Sequence, residues 1–272
     1  MDRSLEGQVI AVTGGASGIG EACCRMAARS GARVAVLDLD EDKAKAVAAA
    51  IGDDGGEAQP RRLDVRDPRS IEEVVAAVEA DLGPLDGLVA SAGIIQSPQP
   101  PEELSLALWD EVVAVDQRGV YLSCLAAGRR MAVRGGGSIV TIASVAAMRS
   151  MPLHAYAPAK AAVISITQNL AVEWGRSGVR VNAISPGYVL TPALQAAIDS
   201  GQRDPAALSE NSALGRLVGP EEIAEGAVFL LSRRARGITG ITLPIDAGWL
   251  VAPSWHTYGG IRGARGNRRA EH

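Results

Sequence analysis

Tyr156 and Lys160 stand four residues apart in Tyr156-Ala-Pro-Ala-Lys160, so a helix over this stretch sets a phenol and an ammonium on one face. An unperturbed tyrosine titrates near about 10 and is a poor base at neutral pH, while a lysine charge beside it favours the phenolate and lowers that value. The spacing suits proton transfer. Twelve residues upstream, Ser144 follows Gly137-Ser-Ile-Val-Thr-Ile-Ala143, an apolar run that reads as a buried strand and delivers the hydroxyl near the strand's carboxyl end. Ligands of open α/β sheets bind at that end. A Tyr-x-x-x-Lys spacing is common by itself, and two exposed helix residues are the plain alternative; the weight comes from the elements around the pair.

Gln8-Val-Ile-Ala-Val-Thr13 reads as a strand and runs into Gly14-Gly-Ala-Ser-Gly18-Ile-Gly20 and a helix from Glu21 to Ser30. Glycines there let the backbone approach a pyrophosphate, and the amino end of the helix supplies N–H donors and a favourable dipole. The next strand, Arg33 to Leu37, ends at Asp38, eighteen residues after Gly20. A carboxylate at that distance hydrogen-bonds an adenosine ribose and repels a 2′-phosphate, which argues for NAD over NADP. Neither the glycine loop nor positions 39 and 40 carry a Lys or Arg to receive such a phosphate. Asp40 reads as the cap of a helix through Ala50, and residues 52–56 as a surface loop.

Strands are then expected at Arg61–Val65, Leu85–Ala90, Gly137–Ala143, Val179–Ile184 and Ile241–Ile245, separated by helices at Pro68–Leu82, Leu108–Val133, Tyr156–Arg176 and Pro220–Arg233. This alternation predicts an α/β fold: one doubly wound, Rossmann-type domain with a parallel seven-stranded sheet and helices on both faces. Residues 1–250 form the domain and 251–272 a C-terminal extension. Residues 192–215, with Gly201, Pro205 and Gly215, are the least regular and read as a lid.

With 272 residues, 47% of them hydrophobic, the chain buries one large core. A net charge of −4 gives no reason to expect nucleic acid or an anionic membrane as partner. The amino end lacks a signal-peptide core, and no apolar run approaches the ~20 residues that span a bilayer, so a cytoplasmic protein is expected. Cys23, Cys24 and Cys124 have no metal-ligand spacing and read as reduced, partly buried thiols; no metal site is expected.

Taken together, Thr13-Gly-Gly-Ala-Ser-Gly-Ile-Gly20, Asp64-Val65, Ala90-Ser-Ala-Gly93, Ser144 with Tyr156 and Lys160, and Pro186-Gly187 with Thr191 resemble the motifs of the short-chain dehydrogenase/reductase family over residues 5 to about 250. The resemblance implies that Tyr156 exchanges a proton with the substrate oxygen, that Ser144 hydrogen-bonds the same oxygen, and that Lys160 holds the nicotinamide ribose. It implies a cofactor cradle of Gly14, Ser17, Gly18, Ile19, Gly20, Asp38, Leu39, Asp64, Val65, Ala92, Gly93, Pro186, Gly187, Val189 and Thr191, with Asp64 on the adenine amine. The family's Asn-Asn-Ala-Gly turn is Ala90-Ser91-Ala92-Gly93 here and loses two amides. A second departure is Val115-Asp116-Gln117-Arg118-Gly119, where the family carries an asparagine that helps hold a water on the proton relay. Asp116 keeps an acceptor there and adds a charge.

The resemblance also implies a substrate pocket rimmed by Ile94, Ile95, Gln96, Met148, Met151, His154 and Tyr188. Its apolar character suggests a secondary alcohol or ketone of modest polarity, while Arg149 keeps an anionic or polyol substrate open. The family suggests a homotetramer that pairs the helices at 108–133 and 154–176. Residues 249–258 read as an aromatic segment able to close a neighbouring subunit's pocket. The stretch beyond Gly260, with Arg262, Arg265, Arg268 and Arg269, reads as a solvated tail. The expected activity is NAD-dependent hydride transfer between nicotinamide and a secondary alcohol or ketone. Two rivals stand beside it: a catalytically silent dinucleotide sensor, and a 3-oxoacyl thioester reductase.

Overall fold

The computed structural model describes residues 3–262; Arg265, Arg268 and Arg269 of the expected tail lie outside them. Seven strands, β1 (Val9–Thr13), β2 (Arg33–Asp38), β3 (Glu57–Arg62), β4 (Gly87–Ala90), β5 (Gly137–Ile142), β6 (Val179–Pro186) and β7 (Thr242–Ile245), form one parallel sheet in the order β3-β2-β1-β4-β5-β6-β7. The order reverses between β1 and β4, which opens a crevice at the strands' carboxyl ends.

Every residue of β1 is buried, and its alternation divides two cores. Ile10 and Val12 face one cluster with helices α1 (Gly18–Arg29), α2 (Glu41–Asp53) and α9 (Pro220–Leu231). Val9 and Ala11 face the other, with α3 (Pro68–Leu82), α5 (Val120–Arg134) and α6 (Tyr156–Gly175). The helices cover both faces, which is why the central strands read as continuous β-branched runs.

Four expectations need correction. The third strand lies at Glu57–Arg62, upstream of residues 61–65. It is an edge strand, polar and only partly buried, where Pro60 is tolerated; Leu63 and Val65, the apolar signal, are buried just beyond its end. Gly52 and Asp53 belong to the last turn of α2. The long helix starts earlier, as α4 (Leu106–Val112), and passes through a π-helical stretch at Val113–Gly119 before continuing as α5. Residues 192–215 are more regular than expected: Pro192 and Pro205 open two short helices, α7 (Pro192–Asp199) and α8 (Pro205–Glu210), capped by Thr191 and Asp204.

Gly128 fixes the approach of α5 to α6. A Cβ there would lie 2.1 Å from the Trp174 ring. Gly128→Ala gains up to about 1 kcal/mol of helix propensity but forces an overpacked contact costing roughly 1–3 kcal/mol; a lowered midpoint in chemical denaturation is expected.

Among the described residues no helix is long and apolar enough to cross a membrane. The three cysteines are more deeply buried than the sequence suggested, and burial pushes the Cys23 and Cys124 thiols up to about 12. They carry no thiolate chemistry.

Candidate active site

Because all the strands run parallel, the glycine loop after β1, Asp38 at the end of β2, the 91–96 loop after β4 and Ser144 beyond β5 lie along one edge, at the crevice where the strand order reverses. Three glycines of the first loop have distinct tasks. Gly14 has φ +66°, and a Cβ on it would meet the Ala92 Cα at 2.7 Å. A Cβ on Gly20 would lie 1.9 Å from the Gly14 carbonyl oxygen. Gly18, at φ +53°, faces Thr191.

Helix caps bear on the glycine loop, although α6 and α9 also begin without a capping side-chain bond. The helices α2, α3, α4, α7 and α8 are capped by Asp40, Asp67, Ser105, Thr191 and Asp204. Ser17 occupies the same place on the twelve-residue α1 and makes no such bond. The first N–H groups of α1 therefore have no acceptor from Ser17, and a helix amino end of this kind suits a phosphate. Asp38 borders this loop; its carboxylate accepts from Ala16 N at 3.0 Å and Asp40 N at 3.0 Å, which leaves further lone pairs for a ribose hydroxyl. Leu39 is exposed and Val65 buried. Asp64 is gripped by Arg66, Nε to Oδ1 at 2.9 Å and an Nη at 2.7 Å from Oδ2. The residues present thus fit a dinucleotide.

Lys160 is buried at the centre of the site. Its Nζ donates to the Ile142 carbonyl at 3.0 Å, lies 3.1 Å from Asp116 Oδ2, and sits 5.5 Å from the centre of the Tyr156 ring. Asp116 projects from the π-helical stretch, is fully buried, and accepts from Ile94 N at 2.8 Å through Oδ1. A Cβ on Gly93 would come within 2.8 Å of Asp116 Oδ2 and 3.4 Å of Lys160 Nζ, so the small residue after β4 makes room for the pair. Burial alone would lower the Lys160 value, but the negative charges of Asp116 and Tyr156 reverse that and hold it raised. Burial raises Asp116, against the pull of Lys160.

Tyr156 departs from the sequence expectation. Its phenol is raised, because desolvation outweighs Lys160; Asp116 raises it further, and Ser144 works with Lys160 in the other direction. The expected lysine effect is present and is not the largest.

The substrate-side residues separate. Ile95 and Met148 are exposed, and Tyr188 packs edge-on against Trp249 with ring centres 5.8 Å apart. Val189 is buried and bridges to Val218. Arg149 directs its guanidinium to the Leu250 carbonyl at 3.0 and 3.4 Å. Trp255 and Tyr258 of the extension are exposed in a short helical stretch, Pro253–Tyr258. Gln96 does not rim an open pocket as expected: it is 2% exposed, and its Oε1 accepts from Ala155 N at 2.6 Å and Tyr156 N at 3.2 Å. Sequence reasoning missed this clamp and the Ile142 carbonyl, since it placed Gln96 at the pocket rim and contacts with backbone groups distant in sequence leave no sequence signal.

Residues 14–250 match the family model described as enoyl-(acyl carrier protein) reductase. D-threitol dehydrogenase of Mycolicibacterium smegmatis is 44% identical over 92% of this chain and 95% of its own. Among solved structures, one described as ribose-5-phosphate isomerase from Brucella melitensis is 50% identical with a TM-score of 0.90, over 96% of this chain and 100% of that one. A short-chain type dehydrogenase/reductase from Mycobacterium marinum is 32% identical with a TM-score of 0.85, over 91% and 97%.

Proposed function

The chain belongs to the short-chain dehydrogenase/reductase family and is an oxidoreductase of secondary alcohols, and on that premise we propose that it oxidises a polyol-like secondary alcohol with NAD. The observation that carries the reading is the convergence of Ser144, Tyr156 and Lys160 at the sheet's reversal, beside an α1 amino end that no side chain caps. The threitol dehydrogenase likeness supports a polyol. Asp38, set against the glycine loop, supports NAD. The exposed apolar residues Tyr121 and Val133 on α5 and Val172 on α6 support pairing of these helices in a homotetramer. A cytoplasmic setting fits the reduced thiols.

The α1 amino end and the glycine loop would hold the pyrophosphate, Asp38 the adenosine ribose, and Lys160 the nicotinamide ribose. When bound, the nicotinamide supplies the hydride acceptor. Tyr156 takes the hydroxyl proton of the carbinol onto its phenolate oxygen. Ser144 donates to the carbinol oxygen and keeps it aligned with the phenol. Lys160 stabilises the phenolate by its charge, and Asp116 with the Ile142 carbonyl keeps that ammonium in place.

The likeness to a structure named as an isomerase favours a second reading, interconversion of sugar phosphates. One assay separates the two: following nicotinamide absorbance and sugar product together with threitol, other secondary alcohols and ribose 5-phosphate. Alcohol-dependent reduction of NAD is expected; conversion of ribose 5-phosphate without nicotinamide reduction overturns the dehydrogenase. In the same assay Asp38→Ala is expected to raise the NADP-to-NAD ratio of kcat/KM about tenfold, since about 1.4 kcal/mol of charge repulsion corresponds to that factor. An unchanged ratio removes Asp38 as the selector.

A further inference from the structure

The chain leaves the sheet after β6 and comes back over a closed base. Val189 and Val218 form a parallel bridge, Leu190 N donates to the Val218 carbonyl at 2.9 Å, and Val218 N donates to the Tyr188 carbonyl at 3.0 Å. Between these ends, α7 and α8 bury no residue of their own. A segment with shut ends and little buried surface opens more readily than the core it stands on. Its near end adjoins the glycine loop, where a Cβ on Gly18 would lie 3.3 Å from Thr191 Cγ2.

The C-terminal extension reaches the far end of this segment from a firm root. Asp246 accepts from Gly248 N and Leu250 N, each at 2.8 Å; Leu250 and Ala252 are buried, and Arg149 holds the Leu250 carbonyl. From this root the Ala247 carbonyl accepts from Leu214 N at 3.0 Å. Farther on, His256 Nε2 lies 3.1 Å from Oδ1 of Asn211, the residue that ends α8. Asn211 Nδ2 donates to the Ala207 carbonyl at 2.9 Å, which orients the amide so that the imidazole is the donor. A cavity of about 650 Å³ adjoins the contact, lined in part by Glu210, Leu214, His256 and Arg262. The extension therefore meets the end of α8 by polar contact beside open space, where close-packed side chains would resist movement. We propose that residues 253–258 are a strap that latches α8 to the body of its own subunit through His256 and Asn211, and so limits how far residues 192–215 open over the cofactor and substrate. That they open over a cofactor and substrate rests on the dehydrogenase reading above. The aromatic segment expected to close a neighbouring subunit's pocket thus acts first within its own chain.

His256→Ala, Asn211→Ala and the double variant test this. The two side chains meet at the surface, so all three variants are expected to fold as the native chain does. The first readout is amide hydrogen exchange of residues 192–215, followed by mass spectrometry. Each single variant is expected to exchange about fivefold faster there, the size of one hydrogen bond, with the sheet unchanged. The double variant is expected to exchange no faster than either single one, because both changes remove the same bond. The second readout is KM for threitol, expected to rise about fivefold with kcat held, since the closed segment is the one that retains substrate. Native exchange rates in both single variants overturn the latch. Increases that multiply in the double variant overturn it too, by assigning the effect to two separate contacts. Faster exchange with an unchanged KM overturns the control of the substrate site. Native enzyme that oxidises no alcohol removes the dehydrogenase reading, while hydrogen exchange still decides whether the strap holds α8.

Discussion

Replacing Tyr156 by phenylalanine is expected to lower kcat for alcohol oxidation about a thousandfold while the Kd for NAD changes by less than about threefold. General acid–base groups contribute roughly 10²–10⁴ in rate, and the phenol is the group that Ser144 hydrogen-bonds and Lys160 stabilises in the proposed site. The phenylalanine ring keeps the face over which Lys160 Nζ sits at 5.5 Å, so the ammonium retains its place. Stopped-flow turnover and calorimetric titration of the cofactor separate the two quantities. Loss of binding alongside turnover would mean that the phenol holds the cofactor and not the proton. The pH dependence has a definite sign. Burial raises the phenol above its ordinary value, so at neutral pH the acid form dominates and oxidation, which needs the phenolate, accelerates as pH rises toward that value. The reverse reduction uses the phenol as donor and is lost over the same range. A flat profile from neutral to alkaline pH would contradict the role of Tyr156 as base.

The strands that could be read in the sequence are those whose residues are buried on both faces. Val9–Thr13 and Arg33–Asp38 present β-branched runs because helices cover them above and below. Glu57–Arg62, at the sheet's edge, has no such constraint and shows Glu, Gln, Pro and Arg, so the apolar pair Leu63 and Val65 drew the expectation past its end. The π-helical turn at Val113–Gly119 left no mark because it changes hydrogen-bond pairing without changing the kind of side chain required. At the site, the candidate proton-transfer set could be named from sequence because a phenol, a hydroxyl and an ammonium must appear as particular residues. The balance of their charges was not. Whether Lys160 or desolvation governs Tyr156 depends on burial that only the folded chain provides. Gln96 was expected at the rim of the substrate pocket; in the folded chain its amide is buried and spent on the helix turn that carries Tyr156.

Asp116 is the position where fold stability and the proposed proton transfer meet. Its carboxylate and the Lys160 ammonium are 3.1 Å apart with both side chains almost fully withdrawn from solvent. Removing one member of such a pair leaves the other charge buried and costs roughly 3–5 kcal/mol. Asp116→Leu is therefore expected to be strongly destabilised in chemical denaturation and to lose turnover. Asp116→Asn isolates the charge. An amide oxygen can still accept from Ile94 N, the bond that Oδ1 makes at 2.8 Å, while the negative charge that raises the Tyr156 phenol is gone. Two effects then oppose each other: the phenolate loses a repulsive neighbour, and the ammonium loses its principal counter-ion. The Ile142 carbonyl at 3.0 Å and the phenolate itself still support the ammonium. The first effect should prevail, and the apparent pKa in the pH profile of kcat/KM for alcohol oxidation is expected to move to lower pH in Asp116→Asn. A shift to higher pH would show that Lys160 gives up its proton once Asp116 is neutral, so that the carboxylate maintains the lysine charge. A profile identical to that of the native enzyme would remove Asp116 from the proton-transfer machinery and leave it a purely structural partner of Lys160.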